Sequence, residues 1–273
     1  RPPLPGGGRL SGWTRHARVL GICWRAAVAG EMEYRLNFAS NVLLSTFWMV
    51  WAAVGASVYF RFTGAVAGWT HAEVLVVIGL FFTLNGLRQA LLQPNLERMT
   101  DYVRRGTLDF LLTKPFDAQL LVSLRQIRVN NLLDPVLGLA LAAVGVVRSG
   151  RGVSLAALAS FLLLLACAVL LIYALTVLLM ALAVVLVAAD ELGRVSYAFV
   201  ELSRFPVELY RNPVQAVLTV VPVAFLTTYP AAALLGRLDA HLLLLAPVVA
   251  AGAVVLATMA WRRSLRSYSG ASG

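Results

Sequence analysis

Apolar residues run through this chain in long blocks, and polar residues collect in the gaps between them. Blocks at 36–60, 71–93, 129–147, 155–189 and 241–261 are each long enough, at ~1.5 Å of helical rise per residue, to cross a hydrocarbon core of roughly 30 Å. The pattern predicts transmembrane helices rather than a soluble core. Residues 61–70 form a short loop with Gly64 and Gly68, and the second block ends near Arg88 and Pro94. His71 and Glu73 at its start read as solvated interfacial groups. Asn85 and Arg88, about a turn apart near its far end, are expected to snorkel or to bond neighbouring helices. Asp134-Pro135 interrupts the third block, where the carboxylate either caps freed backbone N–H groups or faces a cavity; capping is the preferred reading. The fourth block exceeds one perpendicular crossing, so its helix either tilts and protrudes or joins the next closely.

Residues 190–235 are less regular. A polar run from Asp190 to Arg194 is followed by a mixed stretch with Glu201 and Arg204 at i, i+3, then by an apolar stretch broken at Pro213, Pro222 and Pro230. Prolines at that spacing argue against one straight helix. Two topologies fit. Either 212–235 is the fifth span, or 191–210 spans and the Pro-rich part dips into the outer leaflet and returns. The second is adopted, for about six spans in all. It makes Glu201 and Arg204 an intramembrane pair, tolerable only if the two satisfy each other or meet water.

The polar stretch 93–128 must lie outside the bilayer, because apolar blocks flank it on both sides. Leu96, Met99 and Val103 recur at i, i+3 and i+7, with Glu97, Arg98, Asp101, Arg104 and Arg105 on the other face. Gly106 is placed to end that helix in the left-handed conformation, Thr107 to cap the next turn, Lys114-Pro115 to stop it, and Asp117 to cap the return into lipid. Such a break-helix-break insert is built to protrude. At the other end of the chain, residues 1–12 read as a flexible tail. In 13–35, Arg15, Arg18 and Arg25 oppose Val19, Ile22, Cys23 and Ala26, which suits an amphipathic helix in the headgroup region anchored by Trp13 and Trp24. A plain juxtamembrane connector is the alternative.

Composition sharpens this picture. At 60% hydrophobic and 13% charged, the chain is an integral membrane protein. Its net charge of +10 resides in the gaps between apolar blocks, which is orientation chemistry and not a nucleic-acid footprint. Most Arg falls in the N-terminal segment, the 93–128 insert and the 262–273 tail, so both termini and the insert are expected on the cytoplasmic face. Cys23 and Cys167 differ too much in expected depth to pair.

The run Arg105-Gly106-Thr107-Leu108-Asp109-Phe110-Leu111-Leu112-Thr113-Lys114-Pro115 resembles the cytoplasmic signature of the ABC-2 type permeases. Tyr34 to Phe38, Phe205-Pro206, Tyr210, Pro222, Tyr229-Pro230 and the tail from Arg266 to Ser272 resemble the same family in the same order, within an export-system permease subgroup. The resemblance implies an all-α membrane permease spanning 36–261, with a re-entrant segment before the last span. It implies that Glu97, Asp101, Arg104, Arg105, Gly106, Leu108, Asp109 and Pro115 meet a separate ATPase subunit, present in two copies and carrying the ATP and Mg. It also implies a second, similar permease, a heterodimer rather than a homodimer, and a multi-pass protein of the bacterial cell membrane.

Chemistry of other kinds has little footing. No GxxxxGK[ST] phosphate loop, HExxH, CxxC or GxSxG occurs, and Lys114 is the sole lysine, so no cofactor is expected in this chain and energy must come from a partner. Two other classes would draw on Asp134, Asp190 and Glu201: an ion-coupled carrier, and a membrane-embedded enzyme. Neither explains the insert. Asn85, Arg88, Asp134, Glu201 and Arg204 are the candidate intramembrane polar residues.

Overall fold

The computed structural model describes residues 21, 22, 24, 25, 35–113, 117–186, 191–210, 215, 218 and 222–267. The expected N-terminal tail, most of the expected interface helix with Cys23, Lys114 and Pro115, Asp190, Asn212 and Pro213, and the tail beyond Ser267 lie outside them. In chain order the elements are α1 (Arg35–Phe60), strands β1 (Ala65–Val66) and β2 (Trp69–Thr70), α2 (His71–Leu87), a π-helical turn (Arg88–Leu92), α3 (Gln93–Arg104), α4 (Asp109–Leu112), α5 (Ala118–Leu124), a 3-10 turn (Val129–Asn131), α6 (Leu133–Ser149), α7 (Leu155–Leu186), α8 (Leu192–Glu201), a second 3-10 turn (Val207–Leu209), α9 (Thr228–Leu234) and α10 (Ala240–Ser267). The protein is an all-α membrane fold in which, among the described residues, five helices are long and apolar enough to cross a bilayer.

Helix α2 is the axis of the bundle: every residue from Glu73 to Gly86 is buried. It can sit so deep because α6 approaches it backbone to backbone. A β-carbon added at Gly79 would lie 2.5 Å from Gly138 O, and one at Gly138 would lie 2.5 Å from Thr83 N. Gly86 and Gly145 extend the seam, one against Asp134 and Pro135, the other against Ala72 and Val76. Small residues permit this contact, which is a main source of helix association in lipid, where burial of apolar surface drives little. The long α7 packs along α10 and against α9. By contrast α1 leaves most of its large apolar side chains exposed, as a lipid-facing helix does.

Three boundaries differ from the sequence reading. The second span does not stop at Arg88 and Pro94, since a helical rod of 34 residues runs from His71 to Arg104. Pro94 has no N–H for Ala90 O, but a π-helical turn precedes it and Arg128 N donates to that carbonyl at 2.8 Å, so the helix survives. Asp134-Pro135 does not interrupt the third span; it lies in the first turn of α6, where a missing N–H costs nothing, and no side chain caps that helix. Thr107 does not cap α4 with its side chain either.

Between 191 and 239 no described helix reaches spanning length; short pieces cover the distance. Gly193 abuts the Gln93 side chain at one end of the α2 rod, and fifteen residues on, Trp69 Nε1 at the other end donates to Glu208 Oε2 at 3.1 Å. The chain between them therefore traverses the bundle, as α8 and then an irregular stretch through Pro206. Beyond α9 the chain is again at the Trp69 end, where Arg237 Nη2 donates to Gly68 O at 2.9 Å. Thr227 Oγ1 donates to Ser203 O at 2.5 Å and Val207 N to Thr228 Oγ1 at 3.3 Å, pinning the returning chain to the outgoing one.

Candidate functional site

A cavity of about 430 Å³ opens beside α2, lined from α1 by Asn41, Ser45 and Trp48, from α2 by Phe81, Phe82 and Asn85, from the first 3-10 turn by Asn131, from the start of α6 by Asp134, and from α8 and its end by Tyr197, Glu201 and Arg204. Four of the five expected intramembrane polar residues meet here although they are up to 119 positions apart in the chain, from Asn85 to Arg204. Glu201 and Arg204 pair at 2.6 Å, although Glu201 Oε2 and Arg204 Nε keep no hydrogen-bond partner, and the Arg204 guanidinium lies 4.9 Å from the centre of the Phe81 ring. Asp134 takes the role placed second for it: it faces the cavity rather than capping, with Asn131 Nδ2 3.5 Å from Oδ2 and no hydrogen bond at Oδ1.

Arg88 belongs to an adjoining cavity of about 480 Å³, with Gln93, Leu96, Glu97, Arg128 and Arg194 among its walls. Gln89 and Tyr197 line both spaces. Arg88 does not snorkel; it is 3% exposed and bonds along its own helix, from Nε and Nη2 to Asn85 Oδ1 at 3.3 and 3.1 Å and from Nη1 to Gln93 Oε1 at 2.5 Å. Its guanidinium stands 5.7 Å from the centre of the Tyr197 ring on α8. Tyr197 thus sits at the junction of the two cavities, which its sequence neighbours gave no reason to expect.

The hairpin end is closed by a polar knot. Glu73 is not solvated, as its place at a helix start suggested, but 1% exposed. Its Oε1 lies 3.0 Å from Arg151 Nη2, its Oε2 lies 2.8 Å from Arg237 Nη1, and Thr70 N donates to Oε2 at 2.9 Å. Arg237 also covers the Trp69 ring at 4.9 Å. Thr70-x-x-Glu73 is a capping box, a signal readable in the sequence; the two arginines come from loops far away in the chain.

At the opposite end, α3, α4 and α5 form the insert. Gly106 has φ of 63°, Gly106 N donates to Val103 O and Thr107 N to Tyr102 O, which is the Schellman ending that a glycine there favours. Asp117 caps α5 by accepting from Leu120 N at 2.9 Å. Leu96 and Met99 are buried and Val103 half-buried, packed with Leu108, Leu111 and Leu121 against the ends of α7 and α10 at Met180, Ala257 and Trp261. Leu108 is thus a core residue, fully buried. Glu97 is engaged within the protein by Arg128 and by Gln93. Glu97 is exposed all the same, as are Arg98, Asp101, Arg104, Arg105 and the ring of Phe110, the last 72% accessible, with Asp109 half-buried beside it. Trp24 Nε1 donates to Leu124 O at 2.9 Å, so Trp24 also lies at this end.

Asn95 was not singled out by the pattern, yet it fastens the insert. It is 1% exposed; Nδ2 donates to Leu91 O and Gln126 O at 2.7 and 2.9 Å, and Oδ1 accepts from Gln126 N at 2.8 Å. Among the described residues no group of three or more His, Cys, Asp or Glu side chains is placed to hold a metal ion.

Comparison with known proteins gives one family match: residues 46–272 fit the family described as ABC-2 family transporter protein. No curated protein and no solved structure matches the chain significantly.

Proposed function

The chain belongs to the ABC-2 transporter family, and from that premise we propose that it is the membrane half of an ATP-driven exporter whose insert receives the stroke of a separate ATPase. Membership makes it a transport subunit and a multi-pass membrane protein. The observation that carries the rest is mechanical: one rod, from His71 to Arg104, has the hairpin-end knot at its start, the cavity wall at Phe81 and Asn85 in its middle, and the insert at its end. A helix transmits displacement along its axis because every turn is hydrogen-bonded to the next. Its inner end is bolted to α7 and α10 through Leu96 and Met99, so a push on the insert reaches three long helices at once.

In this reading the insert faces the cytoplasm, since among the described residues Arg98, Arg104, Arg105, Arg125, Arg128, Arg262, Arg263 and Arg266 are at its end of the bundle and Arg61, Arg148, Arg151 and Arg237 at the other. Both termini lie on the same side as the insert, in a bacterial cell membrane. The ATPase, in two copies with its ATP and Mg, docks on Asp101, Arg104, Arg105, Asp109 and Phe110, with Gly106 shaping the backbone between them. Pro115 completes the signature. A second, similar permease pairs with this one. The two adjoining cavities form the route inward of the knot, and the Pro-rich segment before α10 is re-entrant from the outer face.

Replacing Arg104 and Arg105 together by Glu reverses charge on the docking face without touching the buried seam. The variant is expected to insert normally, to lose co-purification with the cognate ATPase and to stop export. Normal co-purification together with normal export would remove the insert from this role.

A further inference from the structure

The central cavity holds one carboxylate that no described residue neutralises. Asp134 is 5% exposed, among the described residues only the neutral Ser45 and Asn131 side chains approach it, Oδ1 keeps no hydrogen bond, and no described Arg, Lys or His forms an ion pair with it. The other two charges in the cavity cancel, because Glu201 and Arg204 are paired at 2.6 Å. A buried carboxylate without a counter-charge is costly in a low-dielectric interior, and such residues within a membrane mark sites where a partner arrives. The remaining walls say what kind of partner. Trp48, Phe81, Phe82 and Tyr197 line the cavity together with Asp134; Arg204 already stands over the Phe81 ring and Arg88 over the Tyr197 ring, so these walls offer apolar surface to a bound body, and an uncovered ring face attracts a cation as well. Access is from the side, since Trp48 belongs to the lipid-facing α1 and is 55% exposed.

We propose that this cavity binds lipophilic monocations, with Asp134 as counter-ion and the Trp48–Phe81–Tyr197 walls taking the apolar body. The terminal torsion of an aspartate is broad, so either oxygen can turn to the bound charge. An anion of the same size would bring a second uncompensated negative charge beside Asp134, and is excluded. The substrate class named here rests on the exporter reading only for the direction of transport; binding requires no ATPase.

The test uses two probes of nearly equal size and opposite charge, tetraphenylphosphonium and tetraphenylborate, with the full-length chain in nanodiscs of zwitterionic lipid. Saturable binding is expected for the phosphonium and not for the borate. Asp134→Asn should weaken phosphonium binding at least tenfold, and Trp48→Ala severalfold. Because Trp48 lies on the exposed helix, its variant decides the matter even if Asp134→Asn does not fold. Equal saturable binding of both probes, no saturable binding of the phosphonium, or unchanged affinity in Trp48→Ala and in any folded Asp134→Asn would overturn the proposal. No ATPase is present in the assay, so its failure and a failure of insert docking are separate results.

Discussion

Single residues in this protein owe their importance to where the fold puts their polar atoms. Asn95 makes three hydrogen bonds with one buried carboxamide, two of them to the backbone of Gln126. Asn95→Ala would strand those backbone groups, and a loss of about 1–3 kcal/mol is expected from leaving buried partners unpaired; the thermal unfolding temperature of the purified variant should fall visibly below that of the parent. Glu73 offers a parallel case at the other end. Glu73→Ala leaves Arg151 and Arg237 without their shared carboxylate and removes the Glu half of the capping box of α2, an expected cost on the order of 2 kcal/mol. A double-mutant cycle with Arg237→Ala should show coupling, and strict additivity would mean the knot holds nothing. Of the two sites, the capping half of Glu73 was legible as Thr70-x-x-Glu73, whereas its arginines and the Asn95–Gln126 contact join residues that no local spacing links.

At the scale of elements, the α2–α6 seam and the insert show how differently two pairings can be encoded. The insert follows from period: Leu96, Met99 and Val103 share a face, Gly106 stops the helix, and the structure uses each as the pattern predicts. The seam depends on what is missing, a side chain at Gly79 and at Gly138. Gly138→Leu would drive a side chain into the Gly79 carbonyl and the Thr83 amide, so the pair must separate. Such a variant is expected to be lost to aggregation on detergent extraction, whereas Gly252→Leu in α10, with open space around its backbone, should extract like the parent. Size-exclusion profiles of the two compare them directly. Helix length was the least legible property here. Arg88 and Pro94 look like an ending, but a π-helical turn within the rod and an N–H donated by Arg128 let it continue, and the second of these comes from outside the helix.

For the whole molecule, the question is which end of the bundle faces which side. With Cys23 and Cys167 replaced, single cysteines at Thr113, Ser154 and Asp239, all exposed, give a direct answer. An impermeant thiol reagent applied to intact cells should label Ser154→Cys and Asp239→Cys and reach Thr113→Cys only after permeabilisation. Labelling of the insert from outside would reverse the topology and with it the site of ATPase docking. The same experiment bears on the broken segment before α10, because a chain that enters at Glu208 and leaves at Arg237 on one face must show Asp239 on that face.

Hydrophobic block length by itself determined that the chain is a helical membrane protein, because crossing lipid without unpaired backbone groups leaves a helix of about 20 apolar residues as the simple solution. Period and turn chemistry determined the face and the end of α3. Tertiary structure alone decided that Asn85, Asp134, Glu201 and Arg204 share a cavity, that Arg88 belongs to its neighbour, and that Glu73 is buried. Those outcomes depend on the depth and rotation of helices set by contacts such as Gly79 with Gly138. Such contacts arise between residues distant in the chain, where neither period nor composition carries a signal.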